Sequence, residues 1–209
     1  AEDIVNGCTF DNNLPCIAEK EIVAVDSIAD ELMHYMVSEE GCYLASKEEQ
    51  DALTEVVLKG GKLNRKCVGR DAKTLLGMIG VQVPDNIRCI TFEGPKEHPL
   101  IAEELMMPIL GVVRAKDFDD AVEQAVWLEH GNRHSAHIHS KNVDNITKYA
   151  KAIDTAILVK NGPSYSALGF GGEGFCTFTI ASRTGEGLTS ASTFTKRRRC
   201  VMTDSLCIR

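Results

Sequence analysis

The sequence predicts an α/β protein, with a parallel-rich sheet covered by helices on both faces. Short β-branched apolar runs recur at Glu21–Val25, Ile109–Arg114 and Ala156–Lys160. Between them lie stretches whose apolar residues repeat at helical spacing behind residues that cap helices. In the second half, strand and helix alternate strictly. Parallel strands need a crossover connection, and a helix supplies it.

Taken in order, Glu21–Val25 reads as a buried strand, and Asp26 or Ser27 caps the helix that follows. That helix carries Ile28, Leu32, Met33, Tyr35 and Met36 on its apolar side and stops at Gly41. Ser46 with Glu49 forms a capping box for a second helix running to about Leu58. The segment from Gly60 to Lys66 is a loop. Asp71–Ile79 is a short helix with Leu75, Leu76 and Ile79 inward, and Pro84-Asp85-Asn86 turns the chain into a strand over Ile87–Phe92. Ile109–Arg114 is a strand, followed by a helix over Asp117–Glu129 with Phe118, Ala121, Val122, Ala125 and Val126 on one face. Ser135–Ser140 is a strand, Val143–Ile153 a helix and Ala156–Lys160 a strand. A glycine-rich segment, Asn161–Gly174, leads to an extended run at Thr177–Ala181, a turn at Gly185-Glu186-Gly187 and a last strand over Thr193–Met202. No repeat or linker interrupts this, so the chain reads as one domain.

Composition limits the function. The 209 residues are 44% hydrophobic and 25% charged, which fits a globular protein with a sizeable core. A net charge of -7 gives no general attraction to nucleic acid or acidic membranes. No apolar run reaches the ~18 residues of a membrane span, and no signal peptide is visible. The eight cysteines are scattered and form no CxxC pair, which points to reduced thiols in a cytoplasmic protein. Ala1 has no methionine before it, and the opening residues read as a piece of a longer protein.

The chemistry centres on Cys16, which follows the turn-prone Asp11-Asn12-Asn13-Leu14-Pro15 and precedes the first strand. A cysteine in such a loop, partly open to solvent, can act as a thiolate nucleophile if backbone N–H groups or a helix N-terminus lower its pKa from roughly 8.5. Spacing alone favours a buried structural cysteine. Gly169, Gly171 and Gly174 satisfy a dinucleotide-loop pattern, but the β-prone Phe175–Ile180 follows where that motif needs a helix, so a tight loop is the better reading. His130, His134, His137 and His139 cluster in sequence, yet a loop and a strand separate them and the spacing suits no zinc frame, so no metal is expected. Lys196-Arg197-Arg198-Arg199 reads as a solvated face or a subunit contact. Glu103-Glu104, ahead of Leu105-Met106-Met107-Pro108, is either charged surface or a hydrogen-bonding partner for ribose hydroxyls.

Several co-linear segments together resemble the catalytic domain of the CoA-acylating aldehyde dehydrogenases of ethanolamine and propanediol utilisation. They are Phe10–Lys20, Glu104–Pro108, Val159–Ser164, Gly171–Phe175 and Thr184–Gly187 with the tail through Val201. The resemblance implies that Cys16 is the nucleophile and that its backbone N–H helps to hold the oxyanion. It implies that Glu104 contacts the nicotinamide ribose and that Met106 stands where the wider family has a cofactor-contacting Phe. The implied reaction converts acetaldehyde or propionaldehyde, with NAD and coenzyme A, to acyl-CoA through a thioester on Cys16. Residues 1–209 would then be the catalytic domain, with an oligomerisation strand near 193–203 and the NAD-binding domain upstream, so that this segment alone would not turn over. Implied partners are further copies of the chain and the shell or lumen proteins of a bacterial microcompartment, with no nucleic acid and no membrane. The alternative is a non-catalytic assembly domain in which Cys16 is inert.

Overall fold

The computed structural model describes residues 1–172, 176–179 and 188–203. The chain opens with α1 (Glu2–Thr9) and a tight turn over Phe10–Asn13, then runs through β1 (Glu21–Val25), α2 (Asp26–Ser38) and β2 (Cys42–Leu44). Next come α3 (Lys47–Val57), a small hairpin of β3 (Leu58–Lys59) and β4 (Lys62–Leu63), α4 (Ala72–Met78), β5 (Cys89–Glu93), α5 (Pro99–Ala102) and β6 (Ile109–Ala115). The second half adds α6 (Phe118–Leu128), β7 (Ser135–Ile138), α7 (Val143–Ile153) and β8 (Ile157–Lys160), with 3-10 turns at Ser164–Leu168 and Ala191–Phe194.

Four strands form one parallel sheet in the order β1-β6-β5-β2, with Val23 opposite Val113, Ile90 opposite Ile109 and Cys42 opposite Cys89. Its central strands are apolar on both sides, because both faces are covered. On one face Leu53 and Val57 of α3, Leu75 and Leu76 of α4, and Leu100 and Ile101 of α5 pack against Ile90, Phe92 and Ile109. On the other, Ile4, Val5 and Cys8 of α1 and Ala29 and Met36 of α2 pack against Ala24, Leu110 and Val112. The ends are fixed locally. Asp71 accepts from the Thr74 amide at the start of α4, Asp117 from Asp120 at the start of α6, and Asn142 from Asp144 and Asn145 at the start of α7.

Several expectations need correction. The second-half strands do not join one sheet: β7 and β8 pair with each other, in parallel, as a separate two-stranded unit. Periodicity identifies a strand but not its neighbour, and here α6 and α7 close a core of their own over the pair through Val122, Tyr149 and Ile153. The inward side of α2 is Ala29, Leu32, Met33 and Met36, leaving Ile28 and Tyr35 exposed, and Val126 of α6 is exposed as well. The helix also starts at Asp26 itself, directly after β1, with no side-chain cap. The tail expected as a last strand is a 3-10 turn followed by exposed, unpaired backbone through Thr203, because no neighbouring strand among the described residues offers it a ladder. Thr177–Thr179 likewise forms no strand, although Thr179 O accepts from the Thr189 amide. Glu173-Gly174-Phe175, Ile180–Gly187 and Cys207 lie outside the described residues, so the glycine pattern ending at Gly174 and the turn at Gly185-Glu186-Gly187 are not placed.

Candidate active site

The loop between α1 and β1 presents Cys16 at the junction of the two sheets. Its first half is built from left-handed backbone: φ is 48° at Asp11, 49° at Asn12 and 65° at Asn13. Asp and Asn tolerate this region better than other residues with a Cβ, yet each such residue still costs about 1 kcal/mol. Side-chain bonds offset that cost. The buried Asn13 donates through Nδ2 to Cys8 O at 2.9 Å and to Glu19 O at 2.8 Å, so one amide ties both ends of the loop. Lys20 Nζ donates back to Asn13 O at 3.1 Å and to its Oδ1 at 2.5 Å.

Other segments lock onto this frame. Asn12 Nδ2 donates to Gly69 O at 3.1 Å, and the Gly69 amide donates to Met106 O at 2.9 Å, which brings the Glu104–Met107 segment up to the loop. Gly69 has φ +69°, and a Cβ there would stand 3.2 Å from the Leu14 side chain. Below, Ile17 is buried against Ile157, Val159 and Leu168 of the β8 region, and the Phe10 and Tyr165 rings lie 5.4 Å apart.

Cys16 sits in the turn closed by the Ala18 amide on Pro15 O at 3.0 Å, and it is exposed. Its amide donates to no other residue among those described. The thiol pKa is raised, contrary to expectation. Desolvation of the sulfur outweighs the Cys16 amide that lowers it; Glu104 raises it further, and Lys20 acts to lower it. The residues after it enter β1, so the chain does not open a helix on Cys16 itself. Lys20 itself is held below the usual lysine range by burial, against the opposing pull of Glu104.

Glu19 is the least expected member of the site. Its carboxyl is 5% exposed, Oε1 accepts from the Ser164 amide at 2.9 Å, and Oε2 has no hydrogen-bond partner among the described residues. Burial pushes its pKa up to about 7. The carboxyl lies over Gly7 of α1, where a Cβ would meet Oε2 at 2.1 Å. Alanine at a helix interior is favoured over glycine by about 1 kcal/mol, so the space has a use.

Of the residues expected in the site, Glu104 is exposed and within electrostatic reach of both Cys16 and Lys20, and it has no hydrogen-bond partner among the described residues. Met106 is half-buried with φ 53° and joins the site through its backbone. The histidines do not converge. His130 Nε2 meets Ala102 O at 3.0 Å, His134 Nδ1 meets Ser135 Oγ at 3.0 Å, and His139 stands 4.0 Å from Asp3. His137 is half-buried, its Nε2 atom is buried without a partner among the described residues, and desolvation holds its pKa down at about 4. Among the described residues no group of three or more His, Cys, Asp or Glu is arranged to hold a metal ion, and the seven described cysteines are free thiols. Asn13, Glu19, Lys20, Ser164 and Gly69 were not singled out from the sequence; the one local signal was the Asp-Asn-Asn run. No helix among the described residues is long and apolar enough to cross a membrane.

Comparison with known proteins adds four findings. The model of the aldehyde dehydrogenase family matches residues 72–193. The acetylating acetaldehyde dehydrogenase EutE of Salmonella typhimurium is 46% identical over 98% of this chain and 45% of its own length. Among solved structures, a propionaldehyde dehydrogenase from the fucose utilisation bacterial microcompartment of Clostridium phytofermentans is 81% identical over the whole chain and 48% of its own, with a TM-score of 0.93. A Rhodopseudomonas palustris propionaldehyde dehydrogenase, solved with bound CoA and an acylated cysteine, is 53% identical over 96% of this chain and 46% of its own, with a TM-score of 0.91. The chain spans about half the length of these relatives.

Proposed function

The chain belongs to the CoA-acylating aldehyde dehydrogenase family, and from that premise we propose that it is the thiol-bearing half of an enzyme converting a short aldehyde and CoA to acyl-CoA. The observation that carries this reading is Cys16, exposed at the head of a loop whose two ends are tied by Asn13. Its sulfur adds to the aldehyde carbon, and the Cys16 amide, which donates to no other residue among those described, would donate to the resulting oxyanion. A nicotinamide dinucleotide, when bound, would supply the hydride acceptor. The chain then carries the acyl group as a thioester on Cys16 until the CoA thiolate attacks the carbonyl and Cys16 leaves as a thiolate.

The residues present fit such a cofactor at its ribose: Glu104 offers an exposed carboxylate with no hydrogen-bond partner among the described residues, and carboxylates accept readily from hydroxyls. Met106, in left-handed backbone beside Gly69, would flank it. NAD is the expected dinucleotide, although an engineered glycolyl-CoA reductase, 52% identical, is solved with NADP+. The raised thiol pKa means that Cys16 is largely protonated at rest, so a base is needed. His134 is proposed for that role. The Clostridium phytofermentans enzyme has been solved with a cysteine and with a histidine replaced by alanine, and those two positions are as far apart in sequence as Cys16 and His134.

Acetaldehyde and propionaldehyde are the proposed substrates, since relatives of both kinds match over nearly the whole chain. The exposed Phe194, Val201 and Met202 beside Lys196–Arg199 support a tail that packs on further copies of the chain, and the microcompartment relative supports a place inside such a shell. The test is turnover of a full-length protein carrying this segment, followed by NADH absorbance with aldehyde, NAD and CoA. CoA-dependent oxidation that disappears in Cys16→Ala is expected. Equal rates in the two proteins would overturn the reading and favour a non-catalytic assembly domain.

A further inference from the structure

We propose that Glu19 is the positioning residue of Cys16: its carboxyl pins the end of the loop to the Ser164 turn, in a seat that Gly7 keeps open. The proposal rests on the reading of Cys16 as the nucleophile. Asn13 anchors the loop before Cys16, through Cys8 O and Glu19 O. Past Cys16, Ile17 and Ala18 are buried, and the next side chain, Glu19, reaches across to the Ser164 amide, 145 residues away in sequence. Cys16 therefore stands between two anchors.

The second anchor also joins the two sheets, since Glu19 borders β1 and Ser164 opens the turn after β8. A buried carboxyl with one oxygen unpartnered is costly, and apolar packing could fill the same volume more cheaply. What an apolar side chain could not supply is an acceptor for the buried Ser164 N–H. Gly7 fits the same account, as a residue unfavourable to its helix whose only visible use is to leave room for that carboxyl.

The test is the alkylation rate of Cys16 by iodoacetamide in the 209-residue chain, read by peptide mass spectrometry. Exposed Cys176 and Cys200 serve as internal references, and buried Cys8, Cys42, Cys67 and Cys89 report unfolding. Three variants break the tie from different sides. Glu19→Ala removes the acceptor, Gly7→Ala displaces the carboxyl while leaving Glu19 in place, and Ser164→Pro deletes the N–H together with the hydroxyl, the two Ser164 groups that act on the carboxyl. Pro163 already has the extended ψ of 154° that a following proline needs.

All three should change the Cys16 rate by about fivefold or more, in the same direction, with the reference rates unchanged and the buried thiols still protected. Gly7→Ala added to Glu19→Ala should change nothing further, and Glu19→Gln, which restores an acceptor, should return the rate to within about twofold of the original. A Cys16 rate unmoved in any variant whose buried thiols stay protected would overturn the proposal, as would additive effects of Gly7→Ala and Glu19→Ala. If alkylation behaves as expected but propionyl-CoA fails to acylate Cys16, the functional reading falls and the positioning role stands.

Discussion

The four-stranded sheet and the Cys16 loop are held together by different physics. In the sheet, Ile90, Phe92, Leu110 and Val112 are fully buried, and each is one of many apolar side chains sharing the load. In the loop, three successive residues in left-handed backbone are fixed by a few polar side chains, and the Cys16 thiol is exposed. Dispersion and burial are non-directional, so the sheet tolerates adjustment. Hydrogen bonds to left-handed backbone are directional, so the loop has one arrangement or none. Stability should therefore reside in the first region and reactivity in the second.

Substitutions can break that division or sharpen it. The largest effect is expected from Cys16→Ala, which should lower acyl transfer from acyl-CoA by about 10³ or more while leaving the melting temperature nearly unchanged. Phe92→Ala should cost about 3–5 kcal/mol in chemical denaturation, yet leave the acylation rate per folded molecule as it was. Loss of reactivity in step with loss of stability would erase the distinction.

Proton linkage gives the next effect. Unfolded Glu19 releases its proton near 4.5, and the folded protein keeps it up to about 7. Between those values the folded state binds more protons, so this group's contribution to stability is full below 4.5 and is lost as pH rises through 7. Glu19→Gln has no such group, so its stability relative to the parent should rise across that window by about 3 kcal/mol and then level off. Denaturant midpoints at a series of pH values measure it; a flat difference would show that Glu19 does not carry the shift. Half-buried Glu21, raised to about 7, and His137, lowered to about 4, are common to both proteins and cancel. At the small end, Ser46→Ala should cost about 1 kcal/mol by removing a cap far from the loop, with no change at Cys16.

How much of this was legible follows the same division. Glu21–Val25 and Val143–Ile153 were read with the bounds the structure gives them, and the Ser46–Glu49 capping box forms with both bonds, at 3.3 and 2.7 Å. These are local signals, carried within a few residues. The partnering of β7 with β8, rather than with the main sheet, is a tertiary outcome that a strand pattern does not encode. β2 is three residues long and too short to show a period. The role proposed for Cys16 comes from resemblance, and its setting was not legible. Gly7, Glu19 and Ser164 meet through space and leave no mark in spacing, and only Asp11-Asn12-Asn13 announced a turn. The lowered thiol pKa expected from loop amides failed because desolvation of the sulfur is a property of the packed loop.

The most direct test of a reactive cysteine built by this loop is to incubate the chain with propionyl-CoA, without dinucleotide, and map the adducts by peptide mass spectrometry. This runs the final acyl transfer backwards. The prediction is an acyl group on Cys16 and none at comparable level on exposed Cys176 or Cys200. Equal acylation of those thiols, or an unmodified Cys16, would contradict it.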